Sequence, residues 1–153
     1  VAIVVFKGFY TALLAGDLAG SPDVRFRAVL PTFSGEAEPL AINLADITTM
    51  ATYDGANYAD YDATSVAVAF DDADEAVYLD ADNGAGNEFG AAVDEASDVT
   101  YGLVAFLFVD GTDANDIILL FTSDGEVAGQ NGNGGQMGLT LPPKGIMAIA
   151  AAS

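Results

Sequence analysis

Tyr101–Val109 (YGLVAFLFV), the step Asp110-Gly111 and Ile117–Thr122 (IILLFT) decide how this chain folds. The first stretch is the most apolar run in the sequence. It is short for a buried helix and rich in aromatics, so it reads as a central strand covered on both faces. Asp-Gly opens a turn, and the second apolar run answers as the paired strand. Working outward, Ser65–Phe70 (SVAVAF), the acidic turn Asp71–Glu75 and Ala76–Leu79 (AVYL) have the form of a hairpin. Val24–Leu30 (VRFRAVL) alternates Val24, Phe26 and Ala28 against Arg25, Arg27 and Val29, a half-buried strand closed by Pro31. Gln136–Leu141 and Gly145–Ala150 flank Pro142-Pro143 as two further strands, after a flexible Gly129–Gly135 tip (GQNGNGG).

The N-terminal part holds the one helix signal. In Phe6–Ala15 (FKGFYTALLA), Phe6, Phe9, Tyr10, Leu13 and Leu14 fall on one stripe, and Gly16-Asp17 stops it. Residues 31–63 read as a long loop with a short strand at Leu40, Ile42 and Leu44. One helix and about seven strands at short intervals predict a mainly β chain. The expected architecture is a single-domain antiparallel β-sandwich or barrel with one short N-terminal helix, spanning 1–153.

Composition limits the chemistry. The 153 residues include 23 acids, four bases and no His, Cys or Trp, for a net charge of -19. Hydrophobic residues make up 52% of the chain, so it should fold despite that charge. Without Cys or His there is no disulfide, thiolate nucleophile, Ser–His–Asp triad or imidazole metal ligand. The bases are Lys7, Arg25, Arg27 and Lys144, and 21 of the acids lie between the last two. No basic patch for a phosphate backbone or an anionic membrane can be assembled from these. No segment reaches the length of a membrane span. Val1–Phe6 is apolar but is broken by Lys7 and lacks a preceding basic region, a poor fit to a secretory signal.

Oxygen-ligated cations remain open. Asp71, Asp72 and Asp74 form one acidic cluster. Asp80 and Asp82 begin a D-x-D pattern that then departs from an EF-hand, with Gly84, Ala85 and Ala91 at its fifth, sixth and twelfth positions. These five are weak metal candidates, and no other cofactor is expected. The plainer reading is a solvated hairpin turn in a very acidic protein. A catalytic carboxylate pair carries no weight when 23 acids supply many chance pairs. No phosphate-binding loop is present, since GQNGNGGQ lacks the Lys and the following helix. The chain is therefore read as non-catalytic. Tyr53, Tyr58 and Tyr61, interleaved with Asp54, Asp60 and Asp62, suit either a sugar-binding or contact platform or the edge of a core.

Taken in order, these segments resemble a family of small tailed-phage virion proteins. The resemblance rests on Tyr10–Ala15 feeding the strand at Val24–Leu30, on Asn57-Tyr58, and on Val66–Phe70. It continues through Ala76-Val77-Tyr78-Leu79-Asp80-Ala81-Asp82, of which Leu79-Asp80-Ala81-Asp82 is the clearest match. Tyr101–Asp110, Ile117–Phe121, Asp124 and a last strand Gly145–Ile149 complete it. The sequence departs from the pattern around residues 31–52 and in its shortage of Lys and Trp. The resemblance implies a non-catalytic structural role, with the protein decorating or cementing the outer capsid of the virion. Its implied partners are the major capsid protein or other virion subunits, in a homo-oligomer such as a trimer. Contact candidates are Val1, Ile3, Val5, Ile146 and Ile149 at the apolar ends, Arg25 and Arg27 on one strand face, and the three tyrosines. A carbohydrate- or receptor-binding β module, on a virion tail or a halophilic cell surface, is the alternative.

Overall fold

The computed structural model describes residues 3–123 and 129–150. Val1 and Asp124 lie outside them. The fold is mainly β, with antiparallel sheets that do not close, in a sandwich-like arrangement around one α-helix. Its elements are β1 (Ile3–Val5), α1 (Lys7–Ala15), β2 (Val24–Val29), β3 (Tyr61–Asp62), β4 (Ala67–Asp71) and β5 (Ala76–Asp80). There follow β6 (Gly90–Val93), β7 (Gly102–Leu107), β8 (Ile117–Thr122), β9 (Gly135–Met137) and β10 (Ile146–Ala150). The main sheet has the order β1-β8-β7-β2-β3; the others are β10-β5-β4 and β6-β9.

β7 is the centre, as its sequence requires. It pairs with β2 from Val24↔Leu107 to Val29↔Gly102, and with β8 on its other side. All six of its residues are buried. The alternation of a strand divides them between two layers. Leu103, Ala105 and Leu107 enter a core with Phe9, Val24, Phe26, Leu79, Phe89 and Ile146. Val104 and Phe106 enter a second core with Phe6, Val29, Phe33, Leu44, Ile118 and Phe121. A bulge opposite Ala105 and Phe106 lets the adjacent Leu119 and Leu120 both join the first core. The Asp110-Gly111 turn is organised by buried Asp116. Its Oδ1 accepts the backbone N–H groups of Val109, Asp110 and Gly111 at 2.8, 3.1 and 3.2 Å.

The second core corrects two expectations. Val29 shares the arginines' face of β2, as alternation requires, but it is fully buried there because that face packs on the second core. The strand expected at Leu40, Ile42 and Leu44 is instead a chain segment laid between α1 and β8. Ala41 O accepts from Gly8, Ile42 O accepts from Ile118, and a single 3-10 turn follows at Leu44–Asp46. Asp46 Oδ2 takes the N–H groups of Ile42 and Asn43, both at 2.9 Å. A local carboxylate cap thus competes with strand pairing, which is limited here to the isolated bridge Asn43↔Ile117 with β8.

The helix stripe is also corrected. α1 buries Gly8, Phe9 and Ala12. Phe6, fully buried, is the residue that caps its start. Tyr10, Leu13 and Leu14 point away from both cores and are exposed. Gly8 explains the choice. A Cβ there would stand 2.2 Å from Ile118 O and 2.6 Å from Ile42 O, so only glycine lets the helix approach this closely. Gly16, at φ 80°, ends the helix with its N–H on Leu13 O.

Three smaller differences remain. The strand expected at Gln136–Leu141 is confined to Gly135–Met137, where it pairs with β6, an element with no strong sequence pattern. The Gly129–Gly135 tip is anchored. Asn131 Oδ1 accepts from Tyr53 Oη and from the Ala96 N–H, and Gly132 N–H donates to Tyr53 Oη. β1 was met in the sequence only as an apolar end; it pairs with β8 from Ile3↔Thr122 to Val5↔Leu120.

Candidate functional site

The tyrosine-rich stretch closes the open edge of β2. Residues near Thr52 bridge to Val29, and β3 pairs with Arg25 and Phe26. Between these two contacts Tyr58 substitutes for a strand: its hydroxyl accepts the Ala28 N–H at 2.7 Å. It donates in turn to Asp60 Oδ1 at 3.0 Å. Asp60 Oδ2 receives Arg27 Nε at 3.0 Å and Nη2 at 2.9 Å. Burial, and then the Asp60 charge, push the Tyr58 hydroxyl well above its ordinary pKa. Burial works to lower the Arg27 pKa, but the Asp60 hydrogen bond and charge outweigh it and the net shift is upward.

These contacts tie several of the contact candidates into the fold. Tyr53 is buried, with its hydroxyl inside the Asn131 network. Tyr58 stacks on Phe89, and Tyr61 on Phe26. Arg27 is 13% exposed, committed to Asp60 and beside Asp113. Arg25 lies over the Phe108 ring at 3.7 Å, between Asp23 and Asp62. The two arginines cover Phe106 and Phe108 at the open end of the second core, so neither is a free cation for a partner. Ile146 is largely buried, packed in the first core.

In the acidic cluster, Lys144 Nζ sits 2.7 Å from Asp74 Oδ2 and 3.4 Å from Asp71 Oδ2. The Lys144 hydrogen bond lowers the Asp74 pKa, and the Asp74 backbone N–H lowers that of Asp71. Asp80 accepts the N–H of Ala81, while Asp72 and Asp82 are exposed. Among the described residues no group of three or more acids is placed to hold a metal ion.

The structure instead presents an apolar cleft of about 200 Å³ where two sheet edges meet. β1 is the edge of the five-stranded sheet, β10 the edge of the three-stranded sheet, and the two are in contact. Ile3, Leu103, Leu139, Leu141, Pro142, Ile146 and Met147 line it, with Tyr78, Thr122 and Thr140 as its polar members. Among the described residues no carboxylate or basic side chain lines it. Ile3 and Met147 remain 40% and 39% exposed at its mouth, so apolar area is left uncovered there. Val5 and Ile149 are half-buried behind them. Ile3 and Met147 both lie in the apolar ends expected to make contacts, whereas Leu139 and Pro142 carried no such signal and join them only in the fold.

No family model, curated protein or solved structure matches this chain.

Proposed function

We propose that this chain is a structural subunit of a tailed-phage virion, seated on the capsid exterior through the major capsid protein and without catalytic activity. The observation that carries the reading is the apolar cleft between β1 and β10, lined by no charged side chain among the described residues, on a molecule of net charge -19. Burying uncovered apolar area is favourable at roughly 25 cal/mol per Å². A neutral surface is also where a partner meets least repulsion from so acidic a protein. The order of segments, which resembles small virion proteins, supports the same reading. The arginine and tyrosine candidates are tied into internal contacts, whereas Ile3 keeps exposed apolar area at this cleft. No cofactor is required.

Particles purified with Ile3→Asp or Met147→Asp in place of the wild-type chain test this. Loss of the subunit from particles, with its melting temperature preserved, is the expected outcome. Full occupancy with either variant would sink the reading.

A carbohydrate-binding role is the second reading, and one observation moves it away from the tyrosine stretch. A shallow depression beside β4 is lined by Phe70, Tyr78, Asp71, Asp80, Pro143 and Lys144. Phe70 is 59% exposed, an aromatic face with carboxylates around it of the kind sugars stack on. Glycan-array binding lost in Phe70→Ala supports this role, and silence on the array refutes it.

A further inference from the structure

Lys7 is the one base with no carboxylate within ion-pair distance among the described residues; Arg25, Arg27 and Lys144 are all paired. It stands in the first turn of α1, at the positive end of the helix dipole. Asp17 lies just beyond the opposite, negative end. Each charge therefore opposes its own helix. Between them the outward face of α1 carries Tyr10, Leu13 and Leu14, exposed by 44%, 41% and 89%. At a hundred degrees per residue Lys7, Tyr10 and Leu14 share one line, opposite the buried Gly8, Phe9 and Ala12. Leu40, 79% exposed, flanks the first turn, because Lys7 N–H donates to Pro39 O at 2.8 Å.

We propose that this face binds a second copy of the chain, with the two α1 helices packed antiparallel across a two-fold axis near residue 12. In that register Lys7 of each copy meets Asp17 of the other, and Tyr10 meets Leu14. Both charges that oppose their own helix then complement the partner's dipole. The face is self-complementary, as an isologous contact must be. Two copies of a molecule of net charge -19 repel each other, and this face keeps that repulsion low, because residues 6–16 contain no acid. A nine-residue helix is about 14 Å long, which places the contact below the standard interface of roughly 800 Å² per partner. The dimer is therefore weak and concentration-dependent. It uses a different surface from the β1–β10 cleft and does not rest on the virion reading.

Sedimentation equilibrium of the full chain over a concentration series tests it, at about 0.15 M salt, where ion-pair distances are within the Debye length. The wild type is expected to reach a monomer–dimer equilibrium. Leu14→Glu, at a position already in solvent, is expected to leave monomer with an unchanged melting temperature. Lys7→Asp and Asp17→Lys should each weaken dimerisation roughly tenfold, while the melting temperature of the monomer holds or rises because each now suits its own helix. The double variant Lys7→Asp/Asp17→Lys should restore the dimer. A monomer at every concentration, a stoichiometry other than two, a dimer indifferent to Leu14→Glu, or a double variant no tighter than the singles would overturn the proposal.

Discussion

Tyr58 shows how a single hydroxyl replaces a strand. The Ala28 N–H, on the edge of β2, has that oxygen as its acceptor, and the same hydroxyl orients Asp60 toward Arg27. Tyr58→Phe keeps the stacked ring and removes only the acceptor. The variant should lose about 1–3 kcal/mol of stability, the cost of a buried donor left unsatisfied, in a urea titration. An unchanged midpoint would mean that water reaches Ala28. Asp46 gives a residue-scale test in pH. Its carboxylate accepts two backbone N–H groups, which holds its pKa below the ordinary 3.8. A depressed folded-state value stabilises the protein above the unfolded pKa, and that contribution fades as pH falls through the folded value. Asp46→Asn should therefore be less stable than wild type at neutral pH, by about 1 kcal/mol, as for a lost cap. The gap should close below pH ~4, where the wild-type carboxyl protonates too. A gap that persists in acid would assign the loss to packing.

At the scale of elements, α1 turns on Gly8. Gly→Ala inside a helix ordinarily gains about 1 kcal/mol. Here the added Cβ would collide with two backbone oxygens that cannot rotate away. Gly8→Ala should instead destabilise by about 1–3 kcal/mol on thermal melting, a reversal of sign that reports the close packing directly. The same glycine explains why the helix was legible in the sequence and its orientation was not. Periodicity sees side-chain size, and by that measure Tyr10, Leu13 and Leu14 outweigh Gly8 and Ala12. β7, β8, β2 and the β4–β5 hairpin were legible because their residues pack by simple alternation or continuous burial. β6, β9 and the turn at Leu44–Asp46 were not, because hydrogen bonds from distant segments and a local cap form them. The apolar cleft was half legible. Ile3 lies in a visibly apolar run, but Leu139, Pro142 and Met147 become neighbours only once β10 lies beside β1.

For the whole molecule, the charge is a property of the surface. Three of the four bases are bound to carboxylates within the fold, so they soften local repulsion but leave the excess. The melting temperature should rise between low ionic strength and about 1 M salt, where the Debye length falls to about 3 Å. A flat profile would mean that the acids are spaced widely enough not to interact. Against this uniform negative exterior, the β1–β10 cleft and the outward face of α1 stand out as neutral or nearly so, which makes association the function to test. The most direct measurement of the virion proposal is quantitative mass spectrometry of phage particles purified from infected cells that produce this chain. Recovery of the chain at a fixed ratio to the major capsid protein, through density-gradient purification, is the expected result. Its absence from particles, with the protein present in the infected-cell lysate, would contradict the virion assignment.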